Sequence, residues 1–124
     1  MKIIDANILL RYLLADNEQL TAKAINIIEN NNVHIPFEVV CEIVYVLQKV
    51  YNISRKNICK ELIDFFTSPN ITTNSLPVLK KALTIFNEKN IDFVDSILCA
   101  YNKTYQHEIF TFDKKMLKII NSQK

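Results

Sequence analysis

The stretch Lys2-Ile3-Ile4-Asp5-Ala6-Asn7-Ile8-Leu9-Leu10-Arg11-Tyr12-Leu13-Leu14 decides the fold class. Lys2–Ile4 is a short β-branched run ending at an acid, and reads as a strand. Ile8, Leu9, Tyr12 and Leu13 then recur at helical spacing. A strand running directly into an amphipathic helix, with a carboxylate at the junction, is the opening half of a β-α unit. In such units the ends of the strands form the ligand-binding edge.

The rest of the chain repeats this alternation. Asp16, with Gln19 three residues later, has capping-box spacing for a second helix, whose stripe is Leu20, Ala24, Ile27 and Ile28. Val33–Ile35 reads as a strand, and Pro36 turns into a helix over about Glu38–Tyr51 that is apolar nearly all round, which predicts burial on most sides. Ser54 suits an N-cap for a helix with Ile58, Leu62, Phe65 and Phe66 inside. Ile71–Thr73 reads as a third strand, and Pro77 fits the first turn of a helix to about Asn87. Asp92 opens another helix with Val94, Leu98 and Tyr101 inside; Glu108–Thr111 reads as a last strand, and Asp113 precedes a short final helix. Strands alternating with helices predict one α/β domain over residues 1–124, with a mainly parallel sheet and helices on both faces.

Composition narrows the chemistry. The chain has no glycine, so it carries no Walker loop, dinucleotide-binding turn or G-x-S-x-G nucleophile elbow. His34 and His107 are far apart and form no H-E-x-x-H pattern, which disfavours a zinc hydrolase. Cys41, Cys59 and Cys99 sit among apolar residues with no C-x-x-C pair, and read as core thiols in a reducing compartment. No apolar run is long enough to span a membrane and no leader is visible, so a cytoplasmic location is expected. A net charge of +2, with lysines scattered apart from Lys80–Lys81 and Lys114–Lys118, gives only a weak hint of a polyanion partner.

Four carboxylates stand out. Asp5 follows an apolar strand and Asp113 lies just past the last expected one, so the two could face each other across one sheet edge. Glu42 lies on or beside the stripe of an apolar helix, and Asp95 precedes Leu98 and Cys99 at helical spacing. Asp92 lies one turn before Asp95. Each has an ordinary alternative: Asp92 and Asp113 as helix caps, Asp5 as a turn residue, Glu42 and Asp95 as partners of Arg11 or Arg55. As a group they would repel one another, and a divalent cation would relieve that. Oxygen-only ligands suit Mg²⁺ or Mn²⁺, and such a site can activate water against a phosphodiester.

The order of these motifs resembles the PIN domain, and within it the VapC-type toxins of toxin–antitoxin pairs. Ile3-Ile4-Asp5-Ala6-Asn7 is similar to the family's strand and D-S/T-N turn, with Ala6 in place of the hydroxyl residue. Val40-Cys41-Glu42-Ile43 is similar to the helix carrying the second acid, and Asp92-Phe93-Val94-Asp95-Ser96-Ile97-Leu98-Cys99-Ala100 to D-F-x-D-A-L-x-x-A, with Ser96 for Ala. Thr111-Phe112-Asp113-Lys114 is similar to T-F-D-K/R. The resemblance implies a PIN-like three-layer sandwich and a Mg²⁺- or Mn²⁺-dependent endoribonuclease. Asp5, Glu42, Asp95 and Asp113 would be both metal ligands and catalytic residues, supported by Asn7, Asp92 and Thr111. It implies RNA cleavage leaving 5′-phosphate and 3′-hydroxyl ends, an RNA substrate, a small antitoxin partner bound near Leu10, Leu13, Leu14 and Val46, and a homodimer. The same residues serve equally as core. A housekeeping RNA-processing nuclease and a non-catalytic PIN-fold interaction module are the alternatives. A haloacid-dehalogenase-like phosphatase would need an acid where Asn7 stands, and a receiver domain a mid-chain strand-ending Asp.

Overall fold

A computed structural model describes residues 1–124. Three two-residue strands, β1 (Lys2–Ile3), β2 (Val33–His34) and β3 (Ile71–Thr72), form a parallel sheet in the order β1-β2-β3. Lys2 is in register with Val33, and Val33 with Ile71. Parallel neighbours need long crossovers. Here each is a helix pair: α1 (Ala6–Leu14) and α2 (Glu18–Glu29) lead from β1 to β2, and α3 (Phe37–Lys49) and α4 (Arg55–Phe65) from β2 to β3. Beyond β3 come α5 (Leu76–Glu88), α6 (Phe93–Tyr105) and α7 (Lys114–Ser122). The result is the expected α/β architecture, a central parallel sheet flanked by helices. No helix is long and apolar enough to cross a membrane.

Local chemistry explains the helix starts. Asp5, Asn17, Ser54, Ser75 and Asp113 each accept a backbone N–H from the first turn that follows, a donor with no partner inside the helix. The cap of α2 is Asn17, not Asp16; Asp16 instead takes Arg11 in the chain's single ion pair, at 2.9 Å. Without glycine, left-handed turns fall to other residues. Ala15 ends α1 at φ 51° and Gln106 ends α6 at φ 58°.

The core runs through β2, the inner faces of α3–α6 and the start of α1, and includes Leu9, Val33, Val40, Ile58, Leu79, Leu83 and Phe86. Two faces differ from expectation. Helix α3 is buried along Phe37, Val40, Ile43, Val44 and Leu47 only, and turns Glu38, Glu42, Tyr45 and Lys49 to solvent. In α6, Val94 is 55% exposed while Phe93, Ile97 and Ala100 go inside. Apolar residues at 93, 94, 97, 98 and 101 offer two overlapping stripes. Packing against α5, where Phe86 and Phe93 meet edge-on at 5.7 Å, goes with the first.

The expected strand over Glu108–Thr111 does not form; residues 106–113 lie outside any regular element. The Glu108–Phe112 backbone N–H groups donate to no protein acceptor. The β-branched and aromatic residues of the stretch suit a strand, but a strand needs a second edge beside it.

Candidate functional site

Three carboxylates share one corner where α6 and α7 begin. Asp92 sits at the N-cap position of α6 without a side-chain capping bond, and Asp95 lies in the first turn of the same helix. Asp113 caps α7, its Oδ1 accepting the Met116 N–H at 2.9 Å, while Thr111 Oγ1 accepts the Asp113 N–H at 3.0 Å. Partial burial pushes the Asp95 carboxyl up, and the charges of Asp92 and Asp113 push it further the same way.

One turn below, burial pushes the Cys99 thiol up to about 11, with Asp95 and then Asp113 adding to the effect. Cys41 is raised by burial and then by Glu38, and Cys59 by burial and then by Glu88. All three cysteines are unpaired, Cys59 and Cys99 buried and Cys41 half-buried. Thiols pushed upward in this way are poor nucleophiles.

A cavity of about 250 Å³ lies between α3 and α6 beside this corner, with Cys41, Tyr45 and Lys49 on one wall and Asp92, Val94 and Asp95 on the other. Its lining mixes apolar surface with two acids and one lysine.

The remaining expected site residues lie apart. Glu42 is exposed on the outer face of α3, and Asp5 lines a different cavity with Lys2, Ile8 and Asn31. Asp5 Oδ1 caps α1 by accepting the Ile8 N–H at 3.0 Å. Asn7 is exposed, whereas Thr111 does orient an expected residue, through the Asp113 N–H. Leu10 is buried and Leu13, Leu14 and Val46 pack against the core, their alternative role.

These positions correct the expected metal site. No group of three or more His, Cys, Asp and Glu side chains is placed to hold a metal ion. The residues do not fit Mg²⁺ or Mn²⁺, and the reading as a metal-dependent endoribonuclease, with its hydrolase, nuclease and metal-binding terms, is withdrawn. The physical reasons are local: Asp5 and Asp113 each commit a carboxylate oxygen to a helix cap, Glu42 faces solvent, and the strand expected to carry Asp113 to the sheet edge is absent.

A family model for the PIN domain matches residues 2–121. The chain belongs to the PIN-domain family. No curated protein and no solved structure matches it. In this PIN domain, Asp92, Asp95 and Asp113 are gathered and Asp5 and Glu42 are not joined to them.

Sequence reasoning missed two things. Lys49 and Tyr45 line the cavity, but single polar residues on an apolar helix carry no motif. Arg55, expected as a carboxylate partner, instead binds backbone: its Nη1 donates toward the carbonyls of Phe86, Lys89 and Ile91 at 2.9, 3.1 and 2.7 Å. Nothing in its flanking residues signals that role.

Proposed function

We propose that this PIN domain is an interaction module that acts by binding a small partner polypeptide, without metal-assisted hydrolysis. The observation that carries the reading is the stretch outside regular structure that holds Phe110, 87% exposed, and the fully exposed Phe112, and whose backbone N–H groups from Glu108 to Phe112 have no protein acceptor. Two bare aromatic rings beside unpaired backbone donors are the elements of strand addition: main-chain hydrogen bonds supply affinity, and side chains on one face supply specificity. The stretch is held at both ends, by Asn102 Nδ2 donating to the His107 carbonyl at 2.9 Å and by the Thr111–Asp113 contact, so little ordering would be needed on binding. The motif resemblance to VapC-type toxins supports a small antitoxin-like protein as the partner and a cytoplasmic setting. A second copy of the chain is the competing occupant.

The test is co-expression with the short polypeptides encoded by neighbouring reading frames. We expect co-purification with the unaltered chain, loss of it in the Phe110→Ser/Phe112→Ser variant, and slowed hydrogen exchange at residues 108–112 in the complex. Sedimentation velocity separates a partner complex from a homodimer. Mg²⁺-dependent RNA cleavage by the purified chain, abolished by Asp95→Asn, would refute the proposal.

A further inference from the structure

We infer that the cleft between the α5–α6 connection and α7 binds a small phosphomonoester, a single phosphate group on a compact organic body. The cleft has a volume of about 290 Å³ and is lined by Lys89, Asn90 and Ile91 from the connection and by Lys115, Lys118 and Ile119 from α7. No carboxylate lines it; Glu88 and Asp92 adjoin its residues in sequence and Asp113 lies two residues before Lys115, but none is part of its wall. The chain's single ion pair is Arg11–Asp16, so none of the three lysines makes direct contact with a carboxylate. Three lysines lining one concavity give it a positive potential, which favours a dianion there. Lysine suits this task, as a compact charge with rotatable donors.

The apolar walls at Ile91 and Ile119 favour a phosphate carried on an organic body over the bare ion. The volume lies near the lower end of small-molecule sites, roughly 300–1,000 Å³, which limits the body to a compact one.

The cleft is also held in shape. Arg55 stacks over the Phe86 ring at 4.2 Å and fixes the connection through the Lys89 and Ile91 carbonyls. From the opposite wall, Lys115 Nζ donates to the Asn90 carbonyl at 3.4 Å. Donors on a fixed frame lose little freedom when a ligand arrives. This inference does not depend on the proposed partner binding, which uses residues 108–112.

The test is amide chemical-shift titration of the whole chain at low ionic strength with adenosine 5′-monophosphate, inorganic phosphate, adenosine and a single-stranded oligonucleotide. We expect saturable shifts at Lys89–Ile91 and along α7 with the monophosphate, weaker ones with phosphate and none with adenosine. Lys118→Ala should weaken the monophosphate about ten-fold, the loss of one charge-assisted hydrogen bond. Lys89→Glu/Lys118→Glu should abolish binding while leaving the thermal midpoint near that of the unaltered chain, since both side chains are exposed. The inference is overturned if the monophosphate gives no saturable shifts, if the charge-reversed variant binds it unchanged, or if the oligonucleotide binds far more tightly with affinity rising with length. The last result would make the cleft part of a nucleic-acid track.

Discussion

Replacing Arg55 by alanine removes the side chain whose hydrogen bonds tie the start of α4 to the end of α5. Its Nη1 stands within 3.1 Å of three carbonyls, and its guanidinium lies 4.2 Å from the Phe86 ring centroid. One Nη1 has only two hydrogens, so the three contacts count as about two bonds, each about 1.5–3 kcal/mol for a charged donor. Stacking of the half-buried guanidinium on the buried Phe86 ring adds about 1 kcal/mol. Against this, alanine loses no side-chain rotamer entropy on folding whereas arginine loses about 2 kcal/mol, and water reaches some of the abandoned carbonyls. The net expectation for Arg55→Ala is a loss of roughly 2–3 kcal/mol, a large share of a total stability of about 5–15 kcal/mol. Urea unfolding followed by far-UV circular dichroism measures it; with a slope of about 1–3 kcal/mol per molar, the midpoint should fall by about 1 M or more. Arg55→Lys should recover part of the loss, because an ammonium can reach a carbonyl but cannot stack as a plane. A change of less than about 0.5 kcal/mol for Arg55→Ala would place the residue among ordinary surface positions and refute the clamp.

Asp95 sets the pH response of the acidic corner. Its folded carboxyl titrates above its unfolded value, so between the two values the folded state binds more protons, and stability falls as pH rises through that window. Asp95→Asn should therefore raise the thermal midpoint at pH 7 and lose that advantage at pH 3; an equal effect at both pH values would show the repulsion to be absent. Millimolar Mg²⁺ should leave the midpoint of the unaltered chain where it is, and a specific Mg²⁺-dependent rise that Asp95→Asn removes would restore the metal site. Asp5→Ala and Asp113→Ala should each cost about 0.5–2 kcal/mol in chemical denaturation, whereas the Asn versions, still able to cap, should be close to neutral. Ala15→Gly should stabilise by about 0.5–1 kcal/mol, because a Cβ at φ 51° is strained and glycine relieves that at some entropic cost; destabilisation would mean that the Ala15 methyl matters more than its backbone.

What the sequence determined by itself was everything governed by local chemistry. Helical spacing located α1–α7 to within a few residues; Ser54 and Asp113 capped the helices they preceded, and the short β-branched runs at Lys2, Val33 and Ile71 became parallel strands. Four motifs in order, around Asp5, Glu42, Asp92–Ala100 and Asp113, resembled the PIN family, which the family match over residues 2–121 bears out. Tertiary structure decided what depends on a neighbour from elsewhere in the chain. Whether Glu108–Thr111 becomes a strand turns on an edge lying beside it, and which stripe of α6 goes inside turns on its contact with α5. Whether five acids form one site turns on where five separate backbones are carried: three meet at the start of α6 and α7, Asp5 is committed to the cap of α1, and Glu42 faces water. Like charges gather only where packing holds them together, and no local pattern records that packing.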